Sequence, residues 1–165
     1  MQLLLQILMI GAGATLVMDL WAMLRLRLFG VPSLNYAMVG RWLLWMPKGR
    51  FTHNPIASAE PQHGEILIGW LAHYAIGIAF AGLLLPFAGA EWFTEPSAGP
   101  AVALGLVTVA APFFLLQPAL GMGVAASRAP RPWRTRAHSL VTHAVFGLGL
   151  YISALVGKGK GIGLH

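Results

Sequence analysis

Four polar side chains stand inside otherwise apolar runs of this sequence: Asp19, His73, Gln117 and His143. An acid, two imidazoles and an amide can accept protons, relay them, ligate metal or orient one another. His73 lies in WLAHYAIGIAF (Trp70–Phe80), with Gly69 and Gly77 four residues to either side. His143 lies in LVTHAVFGLGLY (Leu140–Tyr151), flanked in the same way by Ser139 and Gly147. At helical spacing each set shares one face, small–His–small, where another helix can come close. Gly11, Thr15 and Asp19 keep the same four-residue step, which places the acid on a small, polar face. On insertion scales an Asp in hydrocarbon costs roughly 2.5–3.5 kcal/mol. Asp19 therefore requires a partner or a proton, and His73, His143, Arg25 and Gln117 are the available partners.

The elements that position these residues follow from the apolar runs. The chain has 165 residues, so a single domain over 1–165 is expected. Hydrophobic residues make up 57% and charged residues 10%, where soluble domains carry roughly 25% charged. A small soluble protein could not hide that much apolar surface, whereas a membrane protein need not. The lack of cysteine excludes disulfides, thiolate metal sites and cysteine nucleophiles. Four spans are predicted, over 3–24, 65–88, 100–124 and 139–156, each long enough to cross a bilayer at ~1.5 Å per residue. The first run lacks a basic leading region and continues to Leu24, so it reads as a span and not a cleaved signal.

The connections are 25–64 and 125–138, with a short turn between the second and third spans. In the first, Ser33 after Pro32 is a candidate N-cap, and Pro47 ends the pattern. Tyr36, Trp42 and Trp45 are interfacial residue types, which predicts a short helix lying at the membrane surface. The remainder, KGRFTHNPIASAEPQHGE, reads as a loop carrying His53 and His63. Trp21, Trp70, Trp92 and Trp133 also fall near predicted span ends. Pro112 and Pro118 inside the third span free the carbonyls of Thr108 and Phe114, with Gln117 beside them. The tail, GKGKGIGLH, is expected to be mobile.

Charge sets the orientation. The two long connections with their flanks hold Arg25, Arg27, Arg41, Lys48, Arg50, Arg128, Arg131, Arg134 and Arg136, and the middle turn holds none. By the positive-inside rule these connections are cytoplasmic and both termini lie outside. Asp19, His73, Gln117 and His143 then fall roughly 9–16 Å along their helices from the cytoplasmic side, at one depth. Aligning His73 with His143 matches LAHYAIGIAF to VTHAVFGLGL, so the chain also reads as two tandem helical hairpins related by an axis along the membrane normal.

The expected architecture is thus all-α: an integral membrane four-helix bundle with a short interfacial helix in the first cytoplasmic loop. Asp19, His73, Gln117 and His143 are its candidate ligand site or proton path. Two imidazoles facing one another suit a divalent metal or the axial positions of a haem. An Asp–His chain suits a proton-linked transport path equally well. No HExxH, Gly-rich phosphate loop or GxSxG motif separates these, so whether the protein is an enzyme stays open. His53 and His63, with Glu60 and Glu65, form a weaker candidate metal set. Arg128, Arg131, Arg134 and Arg136 are expected to contact anionic lipid, and the confinement of basic charge to loops favours membrane over nucleic acid as the partner. A homo-oligomer or a partner membrane subunit is a further option, with Gly69–Gly77 and Gly11–Thr15 as its packing faces.

GATLVMDLW, GVPSLNYAMVGRW, GWLAHYAIGIAFA, GLVTVAAPFFLLQPALGMGVAASR and HSLVTHAVFGLGLY resemble an uncharacterised family of small bacterial membrane proteins, a domain of unknown function. The resemblance runs from about Gly11 to Leu155. It implies a bacterial inner-membrane protein of four helices and brings no known activity, ligand or catalytic residue. The functional expectation from the residues is binding or transport of a proton-linked small solute or metal ion. The alternatives are a membrane-embedded enzyme or redox protein using metal or haem, and a structural partner subunit.

Overall fold

Apolar sequence of helical length folds as helix throughout this computed structural model, which describes residues 1–159. The α-helices are α1 (Gln2–Phe29), α2 (Tyr36–Trp45), α3 (Glu65–Gly82), α4 (Leu84–Ala88), α5 (Ala98–Val107), α6 (Gln117–Ala119) and α7 (Pro132–Gly159). No strand occurs among the described residues. Four stretches are long and apolar enough to cross a membrane: Gln2–Phe29, Glu65–Ala88, Ala98–Ala119 and Pro132–Gly159.

The second span runs over the predicted 65–88, and the other three differ from the predicted ones at their ends, for local reasons. α1 continues past Leu24 because Arg25 and Arg27 are good helix formers. It stops at Gly30, whose left-handed φ of 63° lets its N–H reach Leu26 O at 3.0 Å. α7 begins at Pro132 and not at Ser139, since a proline in the first helical position forfeits only an N–H that would be unpaired anyway. Arg134 and Arg136 consequently sit on a helix and not in a loop. α7 is helical through Gly159, where the tail was expected to be mobile from Gly157; Lys160 and the rest of 160–165 lie outside the described residues. The N-cap of α2 is Asn35 and not Ser33, its Oδ1 accepting from the Ala37 N–H at 3.0 Å.

The third span is broken where its prolines fall. α5 ends at Val107, a π-turn covers Pro112–Leu116, and Gln117 N–H donates back to Pro112 O. Pro118 offers no N–H to the carbonyl four residues before it, and the widened turn accommodates that loss. The chain leaves the helix after Ala119, so 120–124 belong to the following loop.

Two compact units result, each drawing on both halves of the sequence: Met1–Ser33, Tyr74–Thr108 and Leu140–His165 form one, and Leu34–His73 and Val109–Ser139 the other. In the first, α1, the later part of α3, α5 and α7 make a four-helix bundle. Its core includes Ile10, Ala14, Ala81, Leu84, Leu104, Phe146 and Leu150. A Cβ on Gly13 would meet Ser153, and one on Gly149 would meet Ala14, so α1 and α7 run antiparallel with the start of α1 beside the end of α7. Leu8, Leu16, Leu20, Val107, Leu148 and Ile152 face outward. At most 28% of any apolar window is buried, so most of the apolar surface is turned away from the core, as a lipid-facing bundle requires.

The second unit packs α2 against the loop that follows it and against the broken third span. Trp42, Ile56, Ala119 and Leu120 form its core. The loop is docked by His53 N–H to Ala119 O at 2.9 Å and Ile56 N–H to Leu120 O at 3.1 Å. Trp42 and Trp45 were expected to face the interface, yet both are buried. Their indole N–H groups donate to Phe51 O at 2.8 Å and Glu60 O at 3.2 Å, which removes the polar cost of burying the rings. Trp92 is likewise a core residue, donating to Ser97 O, while Trp70 and Trp133 are exposed.

Candidate functional site

In the first unit three side-chain hydrogen bonds tie the four helices together inside the bundle. The Tyr74 hydroxyl on α3 donates to Asp19 Oδ2 on α1 at 3.1 Å. Arg25 Nη1 on α1 donates to Thr142 Oγ1 on α7 at 3.2 Å. Thr108, following α5, pairs through Oγ1 with His143 Nδ1 on α7 at 2.9 Å. Each bond depends on backbone approach. Thr15 Oγ1 stands against Gly77, and Gly11 lies against Gly77 and Ile78, which brings α1 to α3 on the face that carries Asp19. Gly105 and Gly147 do the same for α5 and α7 beside His143.

The Thr108 geometry fixes a proton. Its hydroxyl has one hydrogen, and Oγ1 lies 2.6 Å from Gly105 O, an acceptor only, so that hydrogen is donated there. Thr108 Oγ1 must then accept from His143, which puts the imidazole proton on Nδ1 and, in the neutral ring, the lone pair on Nε2. The ring is held in the tautomer that can take up a proton or a ligand at Nε2.

His73 and Gln117 belong to the second unit. The Tyr36 hydroxyl and His73 Nε2 are 3.0 Å apart, and their rings stack with centroids 4.2 Å apart. Trp70 completes the cluster at 4.5 Å from Tyr36. Gly69 meets the Tyr36 carbonyl, so the small–His–small face of α3 is filled by the chain's own α2 at one end and by Thr15 at the other. Gly69, Gly77 and Gly11 thus lie at seams within the chain. Gln117 is buried, and its Oε1 has no hydrogen-bond partner among the described residues.

The loop set of His53, His63, Glu60 and Glu65 is not assembled. Glu65 is committed to Arg41 through two 2.8 Å hydrogen bonds and accepts the Gln62 N–H at 2.9 Å. The hydrogen bond to Glu65 also raises the Arg41 pKa above its ordinary value. His63 is exposed. Among the described residues no group of three or more His, Asp or Glu is placed to hold a metal ion. Of the four arginines between 128 and 136, Arg128, Arg131 and Arg134 are exposed, whereas Arg136 is half-buried and donates through Nε to Ala125 O at 2.8 Å. That bond steadies a left-handed turn in which Ala125 and Ala126 have φ of 48° and 55°.

Tyr36, Tyr74, Thr108 and Thr142 are the partners that reading for acids and imidazoles passes over. The available signal is their rarity: they are among the few hydroxyl-bearing residues inside or beside long apolar runs, where a hydroxyl needs a partner.

The fold and these internal pairs define a class: small, all-helical proteins with four helices long and apolar enough to cross a membrane, their polar groups turned inward. Within that class the chain belongs to the family described as Protein of unknown function (DUF2938), whose profile matches residues 8–157. No curated protein and no solved structure matches the chain.

Proposed function

We propose that this is a bacterial inner-membrane protein that binds or moves a small solute in a proton-linked manner, with Asp19 and His143 as its proton-accepting groups. The observation that supports this best is the locked His143 tautomer. Thr108 secures Nδ1–H, which leaves the ring's lone pair on Nε2 inside an apolar bundle. Asp19, with Tyr74 on one oxygen, is the carboxyl of the same bundle. Ionisable groups within spans are costly and mark solute and proton paths. Tyr74 and Thr108 act as positioning residues.

The test uses proteoliposomes under an inward proton gradient, loaded externally with a small-molecule extract of bacterial cells and read by mass spectrometry. Wild-type protein should accumulate at least one solute that empty vesicles do not, and Asp19→Asn should reduce that at least tenfold while remaining folded. Equal accumulation in Asp19→Asn would take the acid out of the mechanism, and no accumulation by the wild type would sink the transport reading.

The same reading has both termini outside and the basic connections in the cytoplasm, supported by the placement of arginine and lysine. Reporter fusions at Asn54 and Ala129 should read cytoplasmic, and a fusion at Glu95 external. The reverse pattern would turn the site toward the other compartment.

A further inference from the structure

The net charge of +6 is divided unevenly between the two units. The unit of Leu34–His73 and Val109–Ser139 carries seven basic residues against two acids, Glu60 and Glu65. Glu65 is neutralised by Arg41, and Glu60 makes no ion pair among the described residues. Three of the remaining cations, Lys48, Arg50 and Arg128, lie close together. Lys48 Nζ lies 4.4 Å and the Arg50 guanidinium 4.7 Å from the centre of the same Trp45 ring. Two like charges are thereby held within roughly 10 Å of each other, the screening length at 0.1 M salt. Each gains from the indole face, but neither neutralises the other. The Trp45 ring is 6.4 Å from that of His53, whose Nε2 has no hydrogen-bond partner among the described residues. The next residue, Asn54, accepts from Arg128 Nη1 at 3.2 Å. Lys48, Arg50 and Arg128 are therefore linked through Trp45, His53 and Asn54 into one face, where three cations stand against Glu60, whose carbonyl accepts from the Trp45 indole and whose carboxylate pairs with none of them among the described residues. Phe51, beside Arg50, is 60% exposed, which is unusual for a phenylalanine facing water.

We propose that this face binds the phosphate of anionic phospholipids, with Lys48, Arg50 and Arg128 sharing the headgroup charge and Phe51 entering the acyl layer beneath it. A lipid fits better than a soluble anion because this unit holds the first residues of α3 and α7 and the last turn of the third span, the level at which headgroups lie. An exposed aromatic beside cations is also the pattern of an interfacial anchor. The proposal rests on membrane insertion, but not on the chemistry of Asp19 and His143.

The test measures thermal stabilisation and lipid retention by native mass spectrometry, using the full-length protein in a neutral detergent. Phosphatidylglycerol, phosphatidylcholine and inorganic phosphate are added separately. Phosphatidylglycerol should stabilise and remain bound, and the other two should not. Arg128→Gln, which alters an exposed side chain, should weaken retention about fivefold, and Arg50→Gln with Arg128→Gln about 25-fold. Lys158→Gln, in the other unit, should leave retention unchanged. Equal binding of phosphatidylcholine, or full retention by the Arg128→Gln variant, would overturn the proposal. Equal stabilisation by inorganic phosphate would reassign the face to a soluble anion. Release of the protein from membranes by alkaline carbonate would instead defeat the membrane reading itself.

Discussion

Arg41→Met is expected to lower the stability of the folded protein by about 3–5 kcal/mol, the cost of removing one partner from a buried ion pair. Arg41 is 6% exposed on α2. Its Nε and Nη2 each lie 2.8 Å from a Glu65 oxygen, a two-pronged pairing in which fork meets fork. Nη1 donates to Ala59 O at 3.0 Å and lies 3.5 Å from Ile56 O and Ala57 O. One guanidinium thus joins α2, the start of α3 and the loop between them. Methionine fills much of the volume, but leaves a carboxylate without its cation and loop carbonyls without their donor. Arg41→Lys should recover only part of the loss, because an ammonium cannot span both carboxylate oxygens and the loop carbonyls together. Arg41→Met with Glu65→Leu should be more stable than Arg41→Met alone, since no charge is then stranded. Thermal unfolding in detergent, followed by circular dichroism, measures all three. A loss below 1 kcal/mol for Arg41→Met would mean that water reaches the pair and screens it.

That ion pair shows where sequence reading reaches its limit. Apolar runs of helical length announced the four spans, because the period and length of a membrane helix are local properties. The prolines at 112 and 118 announced the break in the third span for the same reason: a missing N–H is felt four residues away. The small residues around His73 and His143 announced close helix approach, and both seams are present. The identity of the partners was not legible. Arg41 and Glu65 are 24 residues apart, with an irregular loop between them. Nothing in their spacing distinguishes a buried pair from two surface charges. Trp42 and Trp45 carry the residue type of an interfacial belt, and only the loop carbonyls at Phe51 and Glu60 make their burial inexpensive. His73 and His143 sit in matching sequence contexts, yet one hydroxyl partner comes from a tyrosine on a loop helix and the other from a threonine midway along a span. Similar local sequence sets similar local shape; the partner is set by what the rest of the chain brings there.

Gly147→Val is expected to cost about 3 kcal/mol and to release the His143 tautomer at the same time. A Cβ on Gly147 would lie 2.7 Å from Ala101 O and from Val102 Cα, which are backbone atoms of α5 that cannot rotate away. A Cβ on Gly105, across the seam, would lie 2.5 Å from His143 O. Valine at 147 therefore separates α5 from α7, and overpacking of this kind typically costs 1–3 kcal/mol. The Thr108–His143 bond crosses the same seam at 2.9 Å, so a displacement of an ångström is enough to break it. Parting α5 from α7 withdraws Thr108 Oγ1 and Gly105 O together, the two acceptors that favour the proton on Nδ1. Nitrogen-15 shifts of the His143 ring should report a single Nδ1–H tautomer in the wild type and a mixture in Gly147→Val. Gly157→Val, at a position where a Cβ meets nothing within 4 Å, should change neither the tautomer nor the unfolding midpoint by a comparable amount. Thr108→Val tests the same link from the other side: it keeps the volume and the seam but removes the acceptor, so it should shift the tautomer balance with a much smaller loss of stability. If His143 keeps its Nδ1–H tautomer in Thr108→Val, the hydroxyl does not hold the ring, and the Nε2 lone pair on which the proposed function rests loses its structural cause.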